Sequence, residues 1–512
     1  MKKFASILLS LSIIFSLATP AFAADECECE TLPVVYVPGF GEGIFLNPES
    51  EDSVSLFPPE QEAIDAALPD IIKAAVFGLI FRQYDKFGTY AIKAATPLLG
   101  GIACNPDGTS PDNVGISPYD PTYKDTHKIT TYEFSTEDDV ENPGEYYFSY
   151  DWRLDPIENA KGLKVFIDKV KAVTGHDKIV LSSHSQGNTV VTSYLHLYGN
   201  KDITKLVLLS PAYQGLSLVG AILTRTANVE GKGEDFITFI KGIMDYNDPA
   251  NQLIIALLSS LEKIGLLDCV LGLLQDILDD QFDRVLDEFL VDAMGTMPGV
   301  WSFVPAHQYE EAKAKTFRGL EKYKELEKKT DYYHYNVKTK TVEIINNAKE
   351  NGTSVVIVAG YDISSIPVTE ETASHSDFLI DTKYMSIGAT CSPISGTLGD
   401  GYKQANSSCG HNHVSADNKI DASTCQYPEL TWFVKGNPHH EFNASYREFI
   451  TWAILFDGQP TVHSSEKYPQ FISFKGNEIN VIDTPDEQEN RNNIKIMFDS
   501  IVYLIKDTIA KA

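Results

Sequence analysis

The pattern of apolar and polar positions changes character several times along the chain. The first regular signal is Leu32-Pro-Val-Val-Tyr-Val-Pro, a β-branched run that ends in Pro38-Gly39-Phe40-Gly41. A run of this length closed by Pro and Gly predicts a buried strand entering a tight loop. Ile64, Ala67, Leu68, Ile71, Ile72, Ala75 and Leu79 then recur at helical spacing within residues 60–99, and a loop rich in Pro, Gly and Asp occupies about 105–123. From residue 145 strand and helix signals alternate. Residues 145–150 read as a strand and 157–173 as a helix with Leu163, Phe166, Ile167 and Val170 on one face. Residues 178–182 read as a strand, 187–198 as a helix and 205–210 as a strand. Alternation on this scale implies parallel strands joined by right-handed crossovers, which is a doubly wound α/β sheet.

Between residues 216 and 329 the alternation stops. Segments 251–267 and 270–294 are amphipathic and helical, and such an insertion after the central strands is placed to cap a site at the carboxyl edge of the sheet. Residues 353–360 and 431–435 restore the strand pattern, with an irregular stretch rich in Ser, Gly, Asn, Asp and Cys between 385 and 430. The expected organisation is a core in two parts, 24–215 (with a helical excursion at about 60–100) and 331–512, separated by a helical cap at 216–330. No internal repeat is present.

The first 23 residues add a targeting signal. Lys2 and Lys3 precede an apolar run from Ile7 to Leu17, and Ala21-Phe22-Ala23 supplies a small-residue cleavage site, so an exported mature chain is expected. The apolar stretch 253–274 is broken by Glu262, Lys263 and Asp268 and does not read as a membrane span. Net charge is −29, which excludes nucleic acid and electrostatic docking on anionic lipid as expected partners. The seven cysteines are Cys27, Cys29, Cys104, Cys269, Cys391, Cys409 and Cys425. An exported chain keeps disulfides, and a bridge among Cys391, Cys409 and Cys425 is plausible, while the odd total leaves a thiol over. Cys409, His411, His413 and Cys425 offer metal-binding side chains, but their spacing matches no standard zinc pattern, so neither metal nor cofactor is expected.

Chemistry concentrates at Ser183-His184-Ser185-Gln186-Gly187. Ser185 follows an expected strand and precedes an expected helix, the setting of the G-x-S-x-G nucleophile turn, with Ser183 in place of the first glycine. The helix amino terminus favours developing negative charge there. Gln186 is the expected first oxyanion donor, and Phe40, in the loop after the first strand, the second. A serine hydroxyl needs a base, and the base needs an acid to orient it. His184 points elsewhere and reads as a packing residue. Chain order favours His439, in the loop behind the strand 431–435, with His440 next and then His411 and His413. Asp362, Asp377, Asp381 and Asp400 all satisfy chain order for the acid.

Five motifs in sequence resemble the lecithin–cholesterol acyltransferase family, which includes phospholipase A-type acyltransferases and bacterial lipases. They are Val-Val-Tyr-Val-Pro-Gly-Phe-Gly (34–41), Tyr-Asp-Trp-Arg (150–153), Ser-His-Ser-Gln-Gly (183–187), Leu-Ser-Pro-Ala-Tyr-Gln-Gly (209–215) and Met-Pro-Gly-Val-Trp-Ser-Phe-Val-Pro (297–305). The resemblance implies an α/β-hydrolase fold, a mostly parallel doubly wound sheet with a helical cap. It also implies an acyl-enzyme on Ser185, with Phe40 and Gln186 as oxyanion donors. It favours Asp377 as the acid, because Ser376-Asp377-Phe-Leu-Ile380 followed by Ser386 is similar to the family's acid loop, although Phe378 departs from it and Asp381 stays open. The family's histidine precedes a helix, which suits His439 or His440 ahead of 441–455. Asp151-Trp152-Arg153 is either near the acyl-chain entrance or a buried, salt-linked strand end. The implied partner is a lipid or other hydrophobic ester, with an alcohol as a further acyl acceptor and transient contact with a lipid interface. Two other readings stand beside it: an esterase or thioesterase on soluble substrates, and a non-catalytic binder on the same fold.

Overall fold

The computed structural model describes residues 31–117, 145–243, 249–368, 374–407, 410–475 and 478–482. The targeting segment and Cys27, Cys29 and Cys409 lie outside them. An eight-stranded sheet forms the centre. Its strands in chain order are β1 (Val34–Val37), β2 (Glu145–Tyr147), β3 (Ile179–His184), β4 (Ile203–Leu209), β5 (Ser354–Tyr361), β6 (Thr431–Lys435), β7 (Phe471–Lys475) and β8 (Glu478–Val481). In space they run β8-β7-β6-β5-β4-β3-β1-β2. All neighbours are parallel except the β7–β8 hairpin.

The near-continuous apolar strands are explained by burial on both faces. Along β1, Val35 and Val37 join one apolar layer while Val34 and Tyr36 join the other. Leu206 and Leu208 alternate with Val207 and Leu209 in the same way on β4. The first layer is closed by α3 (Pro156–Thr174) and α4 (Gly187–Tyr198), which contribute Leu163, Phe166, Ile167, Val190 and Tyr194. The second is closed by Tyr446, Phe449 and Ile450 of the helix Ala444–Leu455. Lys205 is buried at the sheet yet satisfied, because its ammonium donates to the carbonyls of Ala453, Ile454 and Phe456 at that helix's carboxyl end. Burial pushes the amine down to about 8.

Two sets of helices stand over the carboxyl edge. The early pair, α1 (Gln61–Ala75) and α2 (Tyr84–Leu99), packs together. The insertion after β4 contributes α5 (Ser217–Thr224), α6 (Gly233–Ile243), α7 (Pro249–Lys263) and α8 (Leu266–Val285). The two sets meet where α2 packs on α8: Arg284 donates to the Asp85 carbonyl at 3.0 Å, and Gly88 leaves room for the Gln281 amide. The early excursion and the later insertion therefore form one helical layer. The helix expected from the apolar spacing forms, but Ile64, Leu68, Ile71, Ile72 and Leu79 are solvent-exposed, and α1 buries only Ala67 and Ala74. Among the described residues no helix is long and apolar enough to cross a membrane.

Cys104, Cys269, Cys391 and Cys425 are free thiols, so the bridge expected among the late cysteines is not formed by Cys391 and Cys425.

Candidate active site

The strand order reverses direction at β1: one connection leads out to β2 and the next returns to β3 on its other side. Loops leaving β1 and β3 are thereby held side by side at the carboxyl edge, the place where open α/β sheets bind ligands. Ser185 sits here, between the end of β3 and the start of α4, with φ of 53°. A non-glycine residue in the left-handed region costs energy and persists only where its surroundings impose it. They do so closely. A Cβ on Gly187 would lie 2.3 Å from the Val37 carbonyl oxygen, and one on Gly39 would lie 2.7 Å from the Ser185 Cβ. The Ser185 N–H donates to Leu209 O at 3.0 Å, and its carbonyl accepts from Ala212 N–H and the Asn188 amide. Ser183, where the motif usually has glycine, is tolerated because its hydroxyl finds Asn188 Oδ1 at 2.9 Å in α4.

Phe40 and Gln186 flank this serine, and among the described residues neither backbone N–H donates to another group. Each side chain is anchored away from the site. The Gln186 amide donates to Trp152 O at 2.8 Å and Gly299 O at 3.3 Å. The Phe40 ring packs on Trp152 at 4.1 Å and on Phe57 at 5.6 Å. Trp152, fully buried, donates its indole N–H to Glu42 O at 2.9 Å. The Met-Pro-Gly segment of the insertion thus supports the loop of the core: a Cβ on Gly299 would fall 1.9 Å from Trp152 O.

Beyond the ends of β5 and β6, Asp377 and His439 form a buried pair. His439 Nδ1 lies 2.7 Å from Asp377 Oδ2, and the His439 N–H donates to Asp377 O at 2.8 Å. The other carboxylate oxygen accepts from Leu379 N–H and Ile380 N–H at 3.1 and 2.8 Å. Burial alone would push this carboxyl up. The His439 ring, its hydrogen bond, the Ile380 N–H and the Ser210 hydroxyl outweigh burial and hold it below the usual carboxylate range. With Nδ1–H given to Asp377, the lone pair is on His439 Nε2, which is buried and has no hydrogen-bond partner among the described residues. Nε2 is therefore left able to accept a proton, and hydrogen bonds between such a base and its nucleophile commonly form only with substrate present.

The remaining alternatives are placed elsewhere. Asp381 Oδ2 accepts from Ser217 N–H at 3.0 Å, at the start of α5. Asp362 pairs with Lys419 and Lys435, and Asp400 is exposed. His440 is exposed beside His439, with ring centroids 4.7 Å apart. Asp151 and Arg153 form a buried bidentate pair, with Arg153 also donating to Ile102 O and Ser110 Oγ, so this motif is a salt-linked strand end. His411 and His413 lie at the opposite edge of the sheet, where β6 and β7 begin, together with Glu429 and His463. Cys425 takes no part there; it is buried and its thiol is pushed up to about 12.

One neighbour, His184, was read as a packing residue, and a second, Ser210, escaped the sequence reading. His184 does pack, but against His439: its Nε2 meets the His439 carbonyl at 3.0 Å and the rings lie 4.6 Å apart. Burial, then the two neighbouring imidazoles, holds His184 well below its ordinary range, so it stays neutral. Ser210, at φ of 39° after β4, reaches Asp377. Its only advance signal was its place at the end of a strand.

A mostly parallel sheet with a helical layer at its carboxyl edge and a strained serine between strand and helix defines an α/β-hydrolase. The family model for lecithin:cholesterol acyltransferase matches residues 144–244, which carry β2 through α6 and include Ser185. No curated protein matches the chain. A solved structure, that of the Tle4–Tli4 complex, is similar at 11% identity over 65% of this chain and 75% of that one, with a TM-score of 0.28, too slight a likeness to carry an inference.

Proposed function

We propose that the protein is an exported serine hydrolase or acyltransferase that cleaves lipid or similarly hydrophobic esters through an acyl-enzyme on Ser185. The observation that carries this reading is the strained Ser185 at the same sheet edge as the buried Asp377–His439 pair. In the proposed cycle the Ser185 Oγ attacks the ester carbonyl carbon while its proton passes to His439 Nε2. Asp377 holds Nδ1–H and stabilises the imidazolium that forms. The carbonyl oxygen becomes an oxyanion facing the Phe40 and Gln186 N–H groups. The carbon–oxygen bond to the alcohol then breaks, the alcohol leaves with the proton from Nε2, and the acyl group stays on Oγ. Water or an acceptor alcohol then gives its proton to Nε2 and attacks the acyl carbon; the bond to Oγ breaks, Oγ takes the proton back from Nε2, and the acid or new ester leaves.

The hydrophobic substrate class is supported by the acyltransferase family match and by the helical layer. Ser185 and His439 are each only 3% exposed, and Phe239 of α6 stacks on Phe378, next to Asp377, at 5.4 Å. Admission of substrate therefore requires this layer to part, and its outer face carries Ile64, Leu68, Ile71 and Ile72, suited to contact with an apolar interface. Export rests on the amino-terminal signal, and sequencing the amino terminus of the product outside the cell should find Ala24 first. The activity is tested with an ester series. Ser185→Ala should lower kcat by roughly three decades or more with the fold retained. Undiminished turnover in that variant would remove the proposal.

A further inference from the structure

At the edge of the sheet away from Ser185, four side chains from three separate segments converge. His411 and His413 come from the irregular excursion after β5. Glu429 immediately precedes β6, and His463 lies in the loop before β7. One ligand atom from each lies within 4.8 Å of all the others. The His411 Nδ1 is 3.2 Å from Glu429 Oε1, and the His411 and His463 rings are 3.9 Å apart at their centroids. We infer that these four residues form a zinc site that fastens the excursion to the sheet.

Three features argue for a metal over a chance cluster. The first is the donor set: three imidazole nitrogens and one carboxylate oxygen suit zinc and related transition metals, not calcium or magnesium, which take oxygen. The second is the backing of the deepest ligand. His413 is fully buried, and its Nδ1 lies 2.7 Å from Gln470 Oε1. That glutamine is itself held, its amide donating to Pro428 O and Thr431 O, so its oxygen is fixed toward the ring. His413 therefore donates from Nδ1 and carries its lone pair on Nε2, the oriented arrangement that metal-binding histidines share. The third is the way the segments are clamped. Val462 N–H donates to Glu429 O at 2.9 Å, and Gln404 ties His413 N–H and His411 O together. Tetrahedral zinc with bonds of about 2.0–2.1 Å places its ligand atoms roughly 3.3 Å apart, so closure asks for movement of about 1.5 Å at most, within reach of the solvent-facing His411 and His463. Four protein ligands fill a tetrahedral shell, and the length of the strands separates the site from Ser185, so its role is structural.

The test uses the mature protein, stripped with a strong chelator and titrated with zinc sulfate by calorimetry, with thermal unfolding followed in parallel. One zinc per chain and a rise in Tm of several degrees at saturation are expected, with no shift from calcium or magnesium. His463→Ala and His411→Ala, both at exposed positions, should keep the far-ultraviolet spectrum of the parent and each weaken zinc binding by roughly a hundredfold. Zinc uptake equal to the parent's in both variants, a shift that follows calcium, or no uptake at all would overturn the inference.

Discussion

Two aspartates four residues apart divide their work by where their oxygens point. Asp377 turns one oxygen to His439 and the other to backbone N–H groups, whereas Asp381 meets the start of α5. Asp377→Asn should leave the fold intact but allow the wrong tautomer of His439, lowering kcat by roughly four decades. Asp381→Asn should spare kcat and lower Tm, because a carboxylate at a helix amino terminus is replaced by a neutral amide. Kinetics and melting of the two variants separate the roles, and the reverse pattern would exchange them. The sequence alone could not choose between these residues because chain order is the same for both; the choice needed the fold of the acid loop, where Phe378 at φ of 89° turns the chain. The serine was legible because strand, small residues and helix coincide in a few positions. His184 was legible as a packing residue, but its partner His439 was not, since it is far away in the chain.

At the level of elements, the alternating segments from β2 to β4 were readable because burial on both faces leaves continuous apolar strands between amphipathic helices. The early helical excursion was readable as helix but not as part of the cap, since periodicity shows a face without showing what covers it. One packing choice inside the helices carries a measurable cost. Lys338 is only 2% exposed and its ammonium has no hydrogen-bond partner among the described residues; burial pushes it down to about 7. The unfolded chain binds this proton up to about pH 10.4, the folded chain only to about 7. Between those values the unfolded state holds more protons, so this residue makes stability rise with pH from about 7 to 10, with the destabilisation full below that window. Lys338→Met should raise stability at neutral pH by a few kcal/mol and flatten the rise, as read by denaturant unfolding at pH 7 and 10. An unchanged pH dependence would show that the amine reaches water.

For the whole molecule, the acidic surface and the exposed apolar stripe on α1 point to different parts of the same task. A net charge of −29 disfavours self-association, and Ile64, Leu68, Ile71 and Ile72 form an exposed apolar stripe that the proposed function assigns to an apolar interface. Replacing Leu68 and Ile72 together by Gln should leave hydrolysis of a soluble short-chain ester within about twofold and reduce turnover of an emulsified long-chain ester about tenfold or more. Equal loss on both substrates would place these residues in folding instead of interface contact.

The central claim is that one strained serine is an activated nucleophile, and covalent capture addresses it most directly. The mature protein is treated with an active-site fluorophosphonate and digested, and the modified peptide is sequenced by mass spectrometry. A single adduct on Ser185, formed far more slowly in His439→Ala, is the expected result. No adduct, or an adduct whose rate does not depend on His439, would contradict the account.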